Sequence, residues 1–231
     1  MNKIYKLIIN NLPLKFYNYF LKQFFYNQIN KDVFKSSEIE WEMLENWVKK
    51  NDTVIDVGAN IGRYSLKLSN LVGVEGQVIS FEPLKFAFET LEYFILKKNI
   101  TNILLLNFAI SDKVKLVDFI QHTGPGNYFF ETFTMSKILD IPSRFTNKKL
   151  AINLDSLNLN KVSLIKIDVE GHELEVLKGA KNLISTYKPV IILEASTNET
   201  EIHNFLTNQG YLKNIISENS RNVVYIQESQ K

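Results

Sequence analysis

The chain has 231 residues, 45% of them hydrophobic and 23% charged, which is enough for one sizeable core and short of two ordinary domains. Its 27 Lys and Arg stand against 25 Asp and Glu, a near-neutral balance that gives nucleic acid no support as a main partner, so none is expected. The absence of cysteine excludes a disulfide framework, a thiolate metal site and a Cys nucleophile.

The first stretch, MNKIYKLIINNLPLKFYNYFLKQFF, holds no apolar run longer than Leu7–Ile9. That is too short for a secretory or membrane-spanning segment, and a cytoplasmic location is expected. A basic, aromatic helix is predicted near residues 14–26. Peripheral contact with a membrane surface is open to it, but no long segregated basic face is visible, so docking on the domain is the expectation. Residues 1–49 read as an N-terminal helical extension and residues 50–231 as one domain.

From residue 53 apolar runs alternate with helical periodicity. TVIDVGA (53–59) reads as a buried strand, followed by a helix from Gly62 to about Leu71. GQVISFEP (76–83) is a second strand, with a helix from Leu84 to about Lys98 whose Phe88, Leu91 and Ile95 stand at core spacing. NILLLNFAI (102–110) is a third. SLIKIDV (163–169) precedes a helix from about Glu173 to Tyr187. PVIILEA (189–195), a helix over 199–208 and NVVYIQE (222–228) complete the series. Short, continuous, Val/Ile/Leu-rich strands alternating with helices predict an α/β fold with a doubly wound, parallel sheet. Residues 113–150 break the rhythm and read as an insertion, with strand pieces at 113–120 and 150–157. Such an insertion near the carboxyl ends of the strands is where a doubly wound sheet gains substrate specificity.

Chemistry concentrates at three strand ends. Asp56-Val57-Gly58-Ala59-Asn60-Ile61-Gly62 follows the first strand and opens a helix. Gly58 permits a tight turn and close backbone approach, Gly62 lets the helix begin near the strand, and the exposed amides suit an anionic group. Glu82 ends the second strand, where an acid can accept hydrogen bonds from both ribose hydroxyls. A nicotinamide fingerprint would place glycine where Asn60 stands and again at Arg63, so pyrophosphate is disfavoured. Asp56 suits an ammonium or sulfonium better than two phosphates. Among nucleoside cofactors S-adenosylmethionine fits best. The third cluster is Asp168-Val169-Glu170-Gly171-His172-Glu173. Glu173 and Glu175 are accounted for by the dipole of the following helix. Asp168, Glu170 and His172 are the catalytic candidates, with Asp168 or His172 as the base that takes a hydroxyl proton. Glu194 closes the next strand, so it and Asp168 can face one small volume. A divalent cation held by Asp168, Glu194 and Glu170 is open, though not favoured because no strong metal spacing is present. The bland alternative pairs Asp168 with Lys166.

These segments together resemble the FkbM-type methyltransferases: IDVGANIGRYS, SFEP, NFAISD and, most specifically, LIKIDVEGHELEVLKGA followed by PVIILEAS. The resemblance covers about residues 50–197. It implies a class I methyltransferase (Rossmann-like) sheet of seven strands with an antiparallel last strand, S-adenosyl-L-methionine as donor, and usually O-methylation. It places cofactor binding at Asp56, Gly58, Asn60 and Glu82, with Asp112 near the adenine. The acceptor expected by family analogy is a hydroxyl on a sugar, glycan or other small molecule. Two rival functions remain: an NAD-dependent oxidoreductase, and a non-catalytic module that binds a nucleoside cofactor without turnover. His122 and the aromatics Tyr128, Phe129, Phe130 and Phe133 lie in the insertion and His203 in a late polar helix; none is assigned a role in the chemistry.

Overall fold

The computed structural model describes residues 14–31, 38–119, 138–139, 147–194, 198–214 and 220–227. In chain order these form helices α1 (Leu14–Asn30) and α2 (Ile39–Trp47), strand β1 (Thr53–Val57), α3 (Arg63–Val72), β2 (Gln77–Phe81), α4 (Lys85–Lys97) and β3 (Ile103–Leu106). Then come β4 (Ala109–Ile110), β5 (Lys115–Phe119), β6 (Ile138–Leu139), β7 (Asn147–Ile152) and a 3₁₀ turn at Leu154–Leu157. The last third holds β8 (Val162–Ile167), α5 (Glu173–Lys178), α6 (Lys181–Tyr187), β9 (Val190–Glu194), α7 (Glu199–Thr207), β10 (Tyr211–Asn214) and β11 (Asn222–Gln227).

Seven strands form one sheet in the order β10-β11-β9-β8-β1-β2-β3. The pairs β1/β2, β1/β8, β2/β3 and β8/β9 are parallel, while β11 runs antiparallel to both β9 and β10. This is the mostly parallel sheet with an antiparallel last strand that the family resemblance implies. Alternation along each strand sends side chains to opposite faces. Ile55, Val57, Ile79, Phe81, Ile165, Ile167, Ile191 and Leu193 share one face with Leu174, Leu177, Ile184 and Leu206 of α5, α6 and α7. Val54, Val78, Leu164, Val190 and Ile192 share the other with Trp41 and Leu44 of α2 and Tyr64, Leu68 and Val72 of α3. Both faces are covered, which is why the strands read as unbroken apolar runs. Residues 38–48 supply Trp41, Leu44 and Val48 to this core.

Four expectations change. The predicted strand 102–110 is two strands, because Leu106 ends β3 and the chain crosses at Asn107-Phe108 to begin β4 in a second sheet. That sheet has the order β4-β7-β5-β6 and takes in the predicted strand piece 113–120 as β5, but of the piece 150–157 only residues 150–152 are strand, the rest being the 3₁₀ turn at Leu154–Leu157. The predicted helix 173–187 is broken at Gly179-Ala180. A Cβ on Gly179 would lie 2.0 Å from the Ser111 carbonyl oxygen, so this point passes too close to the second sheet for a side chain. The strand β10 was not anticipated. In α4 Leu91 is buried, but Phe88 and Ile95 are half-buried, and Ala87, Thr90 and Phe94 complete the inward face.

Running outward from β1, one half of the main sheet proceeds through β2 and β3 and the other through β8 and β9. Their crossovers depart in opposite directions, so a crevice opens at the carboxyl ends of β1 and β8. In doubly wound sheets ligands bind at this switch point.

Candidate active site at the carboxyl edge of the sheet

The loop after β1 is shaped by three left-handed residues, Gly58 (φ 80), Asn60 (φ 51) and Gly62 (φ 92). The N–H groups of Gly58 and Ala59 donate to the Phe81 carbonyl at 2.9 and 3.0 Å, latching the loop to the end of β2. A Cβ on Gly58 would lie 1.9 Å from the Asp168 carbonyl oxygen. Glycine is required there because the ends of β1 and β8 nearly touch.

Glu82, one residue beyond β2, is buried. Its Oε2 accepts the Asn60 N–H and its Oε1 the Leu84 N–H, each at 2.7 Å. Burial pushes its carboxyl up to about 7 against the pull of these two amides. Asn107 Nδ2 donates to the Glu82 carbonyl at 2.7 Å and the Pro83 carbonyl at 3.2 Å, fixing the backbone that carries the acid. Each carboxylate oxygen has two acceptor sites, so one on each remains for vicinal hydroxyls. The donor set therefore fits the ribose of a nucleoside cofactor.

Asp56 points elsewhere. It is 1% exposed and accepts the Ser65 hydroxyl at 2.5 Å, while Ser65 in turn accepts from Ser80 at 2.9 Å. Burial drives its carboxyl up to about 6, opposed by Lys166 and then by Ser65. Its described contacts anchor the first turn of α3 and balance a buried lysine. Asp112 accepts from Ser111 and pairs with Lys115, both at 3.0 Å. Burial would raise its pKa, but these partners hold it below the ordinary value.

Lys166 stands beside Asp56 in the β1/β8 register and is 1% exposed. Its Nζ lies 2.9 Å from Asp168 Oδ2 and 4.6 Å from the Tyr64 ring centroid. Tyr64 donates its hydroxyl to Glu38 Oε2 at 2.7 Å. Burial alone would lower the lysine's pKa, but Asp168 and then Asp56 overcome it and hold the ammonium above its usual value. The pairing of Asp168 with Lys166, which stood as the alternative to a catalytic Asp168, is thus present.

Carboxylate oxygens of Asp168, Glu170 and Glu194 lie within 4.8 Å of one another. Burial, then the neighbouring Asp168 charge, pushes Glu194 up to about 8. Burial acts on Asp168 in the same direction, but Lys166 prevails and keeps it low. The two carboxyls are thus pushed apart, Glu194 up and Asp168 down, so Asp168 is the more readily ionised of the two. Glu170 adopts φ 55 and Gly171 φ 100, which swing the chain from β8 towards α5. These oxygens are hard ligands of the kind Mg²⁺ takes, although Lys166 already occupies one oxygen of Asp168.

His172 is not a member of this cluster. It is 7% exposed, with Nε2 at 2.8 Å from Ser111 Oγ and Nδ1 at 3.5 Å from Glu175 Oε2. Ser111 Oγ also lies 3.0 Å from Asp112 Oδ1, so the serine hydroxyl bridges the imidazole and that carboxylate. His172 thus ties α5 to the start of the second sheet. Lys166, Tyr64, Glu38, Ser111 and Asn107 are the residues that motif reading passed over or left in the background. For Lys166 a signal exists: it lies two residues before Asp168, on the same side of the strand, in an otherwise apolar run. His203 lies exposed on α7, and His122, Tyr128, Phe129, Phe130 and Phe133 fall outside the described residues.

A doubly wound, mostly parallel sheet with a glycine turn and buried carboxylates along one carboxyl edge places the chain in the Rossmann-like class of folds. Residues 56–213 match the Methyltransferase FkbM domain, and the chain belongs to that family. It is 27% identical over 146 residues to hexuronic acid methyltransferase AglP of Haloferax volcanii, covering 62% of this chain and 56% of that one. The fold is similar to that of Methyltransferase FkbM from Methylobacillus flagellatus KT, with TM-score 0.55 and 18% identity over 77% of this chain and 43% of that one. It is also similar to a provisionally named rRNA methylase of Clostridium thermocellum, with TM-score 0.51 and 13% identity over 80% and 89% of the two chains. The chain thus spans little more than half the length of AglP and less than half that of the Methylobacillus protein.

Proposed function

We propose that this chain is an S-adenosyl-L-methionine-dependent O-methyltransferase whose acceptor is a hydroxyl of a sugar, glycan or related small molecule. The observation that carries the reading is Glu82, a buried carboxylate held by two amides with its remaining acceptor sites suited to a ribose. It lies on the same sheet edge as the ionised Asp168. Family membership supports the donor, and the similarity to a hexuronic acid methyltransferase supports a sugar acceptor. The near-neutral charge supports no nucleic-acid partner. Among the described residues no helix is long and apolar enough to cross a membrane, and a cytoplasmic setting is part of the reading.

The bound cofactor supplies a methyl group on a sulfonium. In this reading Glu82 holds the ribose, the backbone of Gly58–Gly62 shapes the turn beside it, and Asp112 lies towards the adenine. Asp56 contributes through α3 and its negative charge. When bound, the donor would present that methyl group to the acceptor oxygen, and Asp168 would take the hydroxyl proton as the sulfonium is discharged. Lys166 keeps that carboxylate ionised and aimed, and Glu194 holds its own proton beside it. Positioning of the two reactants contributes more than the base, on the order of 7–11 kcal/mol of the barrier. The metal-free form is the version proposed, since an ammonium already compensates the acids, and Asp168 rather than His172 is the base in it.

Thermal melts with S-adenosylhomocysteine test the cofactor. At about 100 times Kd the ligand should add roughly 2.7 kcal/mol of stability, and Glu82→Ala should lose most of it. No response at millimolar ligand would overturn the reading. Mass spectrometry of uronic-acid and neutral sugar acceptors, incubated with donor in the presence and absence of EDTA, then tests acceptor class and metal dependence.

A further inference from the structure

The first 31 residues contain five lysines (Lys3, Lys6, Lys15, Lys22 and Lys31) and no acidic residue, although the whole chain is close to neutral. α1 occupies most of this stretch. One side of it is docked: Leu21 and Phe25 are buried, Gln23 Nε2 donates to the Tyr93 hydroxyl at 2.6 Å, and Lys22 pairs with Glu89 at 3.4 Å. Glu89 is also paired with Lys85, so the acid bonded to α1 is neutralised.

Elsewhere on α1, Phe16 and Tyr19 are each 57% exposed and Phe20 is 49% exposed. Their i, i+3, i+4 spacing places them on one face, and the Tyr19 and Phe20 rings meet edge to face at 5.9 Å between centroids. A contiguous aromatic patch on a soluble surface marks an interaction site more often than three scattered rings do. Two features together select the partner. Phe and Tyr rings on a helix lying in the plane of a bilayer sit well at headgroup depth. Lysines without intervening acids are drawn to anionic headgroups. A second copy of the chain would bring two such lysine-rich, acid-free stretches together, so charge favours lipid over self-association.

We infer that α1 docks the protein on an anionic lipid surface, with Phe16, Tyr19 and Phe20 entering the headgroup region and the lysine-rich, acid-free composition of residues 1–31 adding electrostatic attraction. The same helix holds the domain through the buried Leu21 and Phe25. This attachment is independent of the methyl-transfer reading.

Flotation with vesicles tests it. At low salt the protein should float with vesicles of phosphatidylcholine containing about one-third phosphatidylglycerol, detach as NaCl is raised, and ignore phosphatidylcholine alone. The triple variant Phe16→Ser, Tyr19→Ser, Phe20→Ser should lower partitioning by at least about tenfold while leaving the melting temperature unchanged. Lys3→Glu with Lys6→Glu should also weaken binding, with the aromatic patch intact. Absence of binding to the anionic vesicles, equal binding to both vesicle types, or undiminished binding of the triple variant would overturn the inference. A dimer in sedimentation equilibrium that the triple variant dissociates would overturn it as well, and would give the face to a second copy.

Discussion

Lys166 carries an ammonium in the middle of a sheet, between Asp56 and Asp168 and against the Tyr64 ring. An unpaired charge at 1% exposure would neutralise itself; this one remains charged because two carboxylates hold it so. Removing it strands Asp56, whose other described support is Ser65. Lys166→Met should therefore cost about 3–5 kcal/mol at pH 7.5, by urea unfolding. The loss should shrink by pH 5, where Asp56, already pushed up to about 6, takes a proton. A loss below about 1 kcal/mol at pH 7.5 would show that the lysine does not stabilise these acids. Asp168→Asn keeps shape and removes charge. It should lower kcat by about 10²–10⁴-fold with S-adenosylhomocysteine affinity nearly unchanged; near-normal turnover would remove Asp168 from the mechanism. The acids were legible in the sequence because each ends an apolar run. Their partners were less so: that Asp56 turns to Ser65, and His172 to Ser111, depends on which strand lies beside which and on the crossing of β3 into β4.

At the scale of elements, the close approach of β1 and β8 makes the site. Gly58 and Gly171 both have positive φ, but their surroundings differ. A Cβ at Gly58 would lie 1.9 Å from the Asp168 carbonyl, whereas at Gly171 nothing lies within 4 Å. Gly171→Ala should cost about 1–2 kcal/mol, the left-handed penalty alone. Gly58→Ala adds a backbone clash and should cost clearly more, with weaker S-adenosylhomocysteine binding because the carboxyl end of β8 must shift. Equal costs in the two variants would show that strand approach does not set the crevice. The main strands were readable because burial on both faces leaves continuous Val, Ile and Leu. The same continuity hid the break between β3 and β4, since Phe108 and Ala109 extend the apolar run across it. The break between α5 and α6 escaped for a different reason: glycine is tolerated in helices, and only the distance to the Ser111 carbonyl shows why the helix must stop. β10 is half-buried beyond its first residue, and a short, partly polar segment carries little strand signal.

Across the whole molecule the acids couple stability to pH. Burial raises Asp56 from 3.8 to about 6, Glu82 from 4.5 to about 7 and Glu194 from 4.5 to about 8. Between the unfolded and folded values the folded state binds more protons. The stability these groups contribute is fully present below their unfolded values and is lost as pH rises through about 6 to 8. Asp112, Asp168, Glu89 and Glu199 are lowered, so their contributions vanish as pH falls below the ordinary carboxylate range. The free protein should be most stable near pH 5, and its urea stability should fall by on the order of 3 kcal/mol between pH 5.5 and pH 8. Ribose hydroxyls donating to Glu82 favour its ionised form. S-adenosylhomocysteine should therefore bind more tightly as pH rises through 7 and release a proton on binding. Calorimetry near pH 6.5 in buffers of different ionisation heat measures that proton directly. Saturating ligand should lessen the decline in stability, and Glu82→Gln should lessen it in the free protein, leaving the part due to Asp56 and Glu194, and abolish the proton release. A flat profile for the free wild type would show that Asp56 and Glu82 titrate as ordinary surface acids. Binding without proton release in the wild type would take Glu82 out of the ribose contact, and with it the observation on which the proposed function rests.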